Sequence, residues 1–76
     1  MKGTTLLIRL NGEEREVPEG LTLQGLVELL GLAPERLAVE HNLKVARRAD
    51  WPATELGEGD KVEIVHFVGG GQLRAF

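Results

Sequence analysis

Apolar and polar residues alternate from Thr4 to Leu10, which puts Leu6, Ile8 and Leu10 on one face of a half-buried strand. Asn11-Gly12 follows, the dipeptide best suited to a type I′ hairpin because both of its positions take φ > 0. A two-residue loop then fixes the register: Val17 returns opposite Leu6, and Glu13 and Arg15 stand opposite Leu10 and Ile8. Polar residues over an apolar face predict an exposed edge strand, frayed near its turn. Pro18-Glu19-Gly20 closes this unit.

The period then changes from two to 3.6. Leu23, Leu26, Val27 and Leu30 recur at i, i+3, i+4 and i+7 and give a helix with one apolar face. Thr22 is its expected N-cap, Leu21 and Leu26 have the spacing of a hydrophobic staple, and Gly31 with Pro34 beyond it supplies the stop. Gly25 inside the helix costs about 1 kcal/mol relative to alanine. Leu37-Ala38-Val39-Glu40 reads as a third strand, His41 to Lys44 as a turn and Val45-Ala46 as a short fourth strand. Arg47 to Leu56 reads as irregular, with Trp51-Pro52 as a packing point. Gly57 to Asp60 is a turn into a last strand, Lys61 to Phe67, in which Val62 and Ile64 face the core. A single helix on one face of a mixed sheet buries both apolar surfaces with little chain, so the expected class is small α+β.

Composition narrows what such a fold can do. The 76 residues make room for one domain, expected over residues 1–68, with the remainder, 69–76, as a flexible glycine-rich tail. A net charge of −3 with interspersed signs offers no basic block for phosphates, so no nucleic-acid partner is expected. There is no membrane-length apolar run and no signal-peptide core, which makes the cytoplasm the expected location. Without cysteine or serine the chain has no thiol and no serine nucleophile of its own. His41 and His66 are too few for a metal site, and none is expected. Nor do the glycines form a phosphate loop, since no lysine or helix start follows them. The expectation is a protein that is not an enzyme.

Chemistry therefore concentrates where the last strand runs into Gly69-Gly70-Gly71. Consecutive glycines make a thin ribbon able to enter a narrow site that any Cβ would block. Val65 and Phe67 alternate with the inward residues, so with Val68 they form an apolar collar at the root of the ribbon, a candidate partner interface. Cover over a corner of the core is the competing reading of the same residues.

These residues resemble a known family. The segment from Leu56 to Gly71 is similar to the end of the ThiS family of sulfur carriers. Arg48-Ala49-Asp50-Trp51 resembles its Arg-x-x-Trp stretch, and Asn11-Gly12 and Gly20-Leu21-Thr22-Leu23 resemble its hairpin and helix start. The similarity is collinear over residues 4 to 71. It implies a β-grasp, ubiquitin-like fold with four to five strands, and a carrier of sulfur for the thiazole of thiamine. In that family a ThiF-like enzyme uses ATP to adenylate the terminal glycine carboxylate. A cysteine desulfurase system supplies sulfur to give a thiocarboxylate, and a ThiG-like thiazole synthase consumes it. The carrier binds no cofactor itself.

One departure stands out. Family members generally end at Gly-Gly, whereas Gly71 here is joined to Gln72-Leu73-Arg74-Ala75-Phe76. An amide offers no carboxylate to activate, so cleavage at Gly71–Gln72 is expected first, with a JAMM-type metalloprotease as one agent. Sulfur transfer to molybdopterin or to another metabolite, and a ubiquitin-like modifier joined to lysine, are rival uses of such a tail. A non-covalent β-grasp interaction module with incidental glycines is another.

Overall fold

The computed structural model describes residues 4–68 and 72–75, with Val68, Gln72 and Leu73 as backbone alone. The first hairpin joins β1 (Thr5–Leu10) to β2 (Glu13–Pro18), with Leu6 opposite Val17, Ile8 opposite Arg15 and Leu10 opposite Glu13. Asn11 and Gly12 take φ of 51° and 84°, the left-handed pair a type I′ turn requires. Pairing continues to the last position before the turn, so the strand is not frayed as its sequence suggests. Glu13 and Arg15 are nonetheless exposed, while Val17 farther along the same face of this edge strand is buried.

Helix α1 (Leu23–Leu29) begins where Thr22 accepts the Gly25 N–H through its side chain at 3.0 Å. It ends at Gly31, with φ of 70°, in a Schellman arrangement: Gly31 N–H donates to Glu28 O and Leu32 N–H to Val27 O. A Cβ on Gly25 would lie 2.7 Å from Leu21 Cδ1, so this glycine makes room for Leu21, which packs against the core. A 3₁₀ turn (Pro34–Arg36) leads to β3 (Leu37–His41), and a tight turn through Asn42 and Leu43 leads to β4 (Lys44–Ala46). Arg48–Ala53, expected to be irregular, is a 3₁₀ helix that seats Trp51 in the core. Burial of the indole leaves its N–H to be satisfied, and it donates to Ala46 O at 2.9 Å.

β5 (Lys61–Val68) lies in the middle of the sheet, whose order is β2-β1-β5-β3-β4. It is parallel to β1 through Arg9↔Lys61 and Leu10↔Val62, and antiparallel to β3 from Leu37↔His66 to His41↔Val62. Ile8, Leu10, Val17, Val39, Val62 and Ile64 meet Leu23, Leu26 and Val27 of α1 beneath one face. No polar or charged side chain is buried among the described residues. No helix among them is long and apolar enough to cross a membrane.

Residues 72–75, the described part of the expected flexible tail, depart from that reading. Gln72–Ala75 form β6, antiparallel to β5, from Val68↔Gln72 to Val65↔Ala75. Among the described residues this raises the sheet to six strands. The physical reason is the short reach of β1, whose pairing with β5 stops at Val62 and leaves the edge beyond it open to a returning strand.

Candidate functional site: the outer face of the sheet at the root of the glycines

The face of the sheet turned away from α1 is built in rows by strand register. Ala38 of β3, Val65 of β5 and Ala75 of β6 lie side by side, with Phe67 one row nearer the glycines. Phe67 is 45% exposed, Val65 and Ala38 are half-buried, and Ala75 is exposed. The next row toward the chain's hairpins places Glu40 directly opposite Glu63, both exposed, with Val45 opposite Glu40 on its other side. Val45 is 75% exposed and completes a shallow depression with Ala38, Glu40, Glu63 and Val65. Like charges directly across a strand pair disfavour the fold by a few tenths to about 1 kcal/mol. Apolar patch and acidic pair together suit a partner surface that brings apolar side chains flanked by Arg or Lys.

Of the sequence candidates, Val65 and Phe67 thus stand together on one outward face. The Val68 side chain and Gly69, Gly70 and Gly71 lie outside the described residues. Gln72 is placed opposite Val68. Sequence reading missed Ala38, Val45, Glu40 and Glu63. The alternation that marks Val62 and Ile64 as inward already made Glu63 outward, but the neighbours from β3 and β4 depend on register between strands. His66 is half-buried and lines a second groove with Leu32, Ala33, Arg36 and Phe67.

At the opposite end of β5 the polar groups serve the fold. Asp60 Oδ2 accepts from Gly57 N–H at 2.8 Å and lies 2.7 Å from His41 Nε2, while Asn42 Nδ2 donates to Oδ1 at 3.2 Å. Burial alone pushes the Asp60 carboxyl up; the hydrogen bonds from His41, Gly57 and Asn42 outweigh it and hold the group below its ordinary value. Asn42 also ties β5 to the β3–β4 turn, accepting Lys61 N–H at 2.9 Å. No group of three or more metal-ligating side chains occurs among the described residues.

One helix on a mixed sheet whose central strand carries a glycine run makes this a β-grasp, ubiquitin-like protein. Comparison gives the family: residues 8–71 match the ThiS family, and the chain belongs to it. It is 33% identical over 66 residues to the sulfur carrier protein ThiS of Bacillus subtilis, covering 86% of this chain and 100% of that one. The crystal structure of thiamine biosynthesis protein ThiS from Geobacter metallireducens superposes with a TM-score of 0.76 at 35% identity, covering 87% of this chain and all of that one. The chain is also 51% identical over 65 residues to a thiazole synthase of Magnetococcus marinus, covering 86% of this chain and 20% of that protein. It spans about a fifth of the length of the thiazole synthases it matches.

Proposed function

We propose that this chain is a sulfur carrier for formation of the thiamine thiazole, acting in the cytoplasm, with Gly71 as the sulfur-bearing residue. The observation that supports it is a central strand with an outward apolar row, Val65 and Phe67, running directly into three glycines in a chain of the ThiS family. The names of its relatives, a sulfur carrier and a thiazole synthase, point to the same pathway.

The chemistry requires a free carboxylate. Hydrolysis of Gly71–Gln72, by a JAMM-type or other peptidase, comes first. A carboxylate is a poor electrophile, so a ThiF-like enzyme joins it to the α-phosphate of ATP and releases pyrophosphate. The resulting acyl-adenylate has a good leaving group. The outer sulfur of a persulfide from a cysteine desulfurase system attacks its carbonyl carbon and AMP leaves. A thiol then cleaves the resulting acyl disulfide, forming a disulfide itself and releasing a thiocarboxylate for a ThiG-like synthase. Glycine puts no side chain in the path of either attack. The chain supplies no acid, base or metal to these steps; Val65, Phe67 and the Val68 position serve as the handle by which each enzyme holds it.

Incubation with the cognate adenylating enzyme and ATP tests the reading by mass spectrometry. The expected result is an AMP adduct on a chain ending at Gly71 and none on the chain running to Phe76. Adduct formation on the uncut chain overturns the cleavage step. In cells, an oxygen-to-sulfur replacement at Gly71 supports a carrier, and a lysine-linked conjugate overturns it in favour of a modifier.

A further inference from the structure

The edge of β5 on the β1 side is passed from one partner to the next. Arg9 N–H donates to Asp60 O at 2.8 Å and Asn11 N–H to Val62 O at 2.9 Å. One step further the Asn11 side chain takes over: its Oδ1 accepts Ile64 N–H at 2.7 Å and its Nδ2 donates to Ile64 O at 3.0 Å. Asp60, Val62 and Ile64 thus aim these backbone groups toward the β1 side, whereas Lys61 O accepts Asn42 N–H on the β3 side. Strand alternation then directs the N–H and C=O of His66 and Val68 along the same edge as Ile64. β6 lies there, with Arg74 opposite His66 and Gln72 opposite Val68.

We propose that this edge, His66 to Val68, is a docking site for an extended strand of the enzyme that receives the glycines, and that Gln72–Ala75 hold it in the uncut chain. The identity of the partner rests on the carrier reading; the edge itself does not. An enzyme that grips Gly69–Gly71 necessarily comes up against the root of the tail, next to the two backbone positions that pair with β6. A strand laid antiparallel there makes main-chain hydrogen bonds independent of side chains and extends the sheet beside the Val65 and Phe67 rows. β6 is suited to give way: it has four residues, pairs with β5 alone, and leaves Arg74 and Ala75 exposed. Until it is removed it also covers an edge otherwise prone to pair with other chains.

Amide exchange by NMR tests this on the chain to Phe76, on Arg74→Pro in that chain, and on the chain ending at Gly71. The shortened chain keeps its core, since every buried residue among those described falls between Ile8 and Ile64. Proline removes the N–H opposite His66. The expected result is exchange at His66 and Val68 at least about tenfold faster in both altered chains than in the intact one, from the loss of one or two hydrogen bonds. On adding the adenylating enzyme and ATP to the shortened chain, the same two amides slow again. Equal exchange in all three chains overturns the role of β6. An enzyme that adenylates Gly71 while His66 and Val68 exchange as in the free shortened chain overturns the docking site and leaves the carrier reading standing. Failure to adenylate the shortened chain removes both.

Discussion

The two halves of β5 share one alternation and do opposite work. In Lys61–Ile64 the inward residues Val62 and Ile64 have no exposed surface, and the backbone is held by β1, Asn11, Asn42 and β3. In Val65–Val68 the described side chains are half-buried or exposed, and one edge is held by a four-residue strand from the chain's own end. Stability is concentrated in the first half, and the proposed function assigns recognition to the second. Under that proposal the division matters, because a surface held by successive enzymes has to change partners without loosening the core.

Five substitutions break or sharpen this contrast. Ile64→Ala removes a fully buried side chain and is expected to cost about 2–5 kcal/mol in denaturant unfolding. Phe67→Ala, three residues on, is expected to cost less than about 1 kcal/mol while weakening the adenylating enzyme's hold on the chain. Comparable losses of stability from the two would erase the distinction. Asn11→Ala strips the partners from Ile64 N–H and C=O and leaves alanine at φ 51°; about 2–3 kcal/mol is expected.

Asp60→Asn has a smaller effect, read from the acid limb of stability against pH. The folded Asp60 pKa lies below the unfolded value of about 3.9, so between the two the unfolded chain holds more protons. The native chain therefore gains stability from this group above that window and loses it as pH falls through it. The asparagine variant should show a shallower decline below about pH 4, and an unchanged slope would remove Asp60 from the account. Smallest is Glu63→Gln: relief of the repulsion with Glu40 should raise stability by about 0.3 kcal/mol while binding to the adenylating enzyme weakens. Weaker binding beside a more stable fold would mark Glu63 as part of the recognition surface.

Much of the frame is legible in the residues because it rests on local chemistry. Asn11-Gly12 dictates the turn and hence the Leu6↔Val17 register; Thr22 and Gly31 bound the helix; alternation sorts Val62 and Ile64 inward from Val65 and Phe67 outward. What escapes is set by distance through space. Gln72 to Ala75 become a strand because β1 stops short on β5, a fact no tetrapeptide contains. Asn11 reads as a turn residue, and its second task, gripping Ile64 with its side chain, needs a residue 53 positions away. The site divides in the same way: Val65 and Phe67 are marked by their own strand, while Ala38, Glu40 and Val45 join them only through register.

The parallel pairing of β1 with β5 has a mechanical consequence. Any enzyme that draws the glycines into its own cleft tugs on Val68 along the axis of a strand flanked on both sides. That force is spread in shear across the bonds to β1, Asn11 and β3 together and cannot open them one at a time like a zipper. Held by the β1 end and stretched from Gly71, the domain should yield in a single high-force rupture on an optical trap; gradual peeling at low load would show that the arm is not anchored in this way.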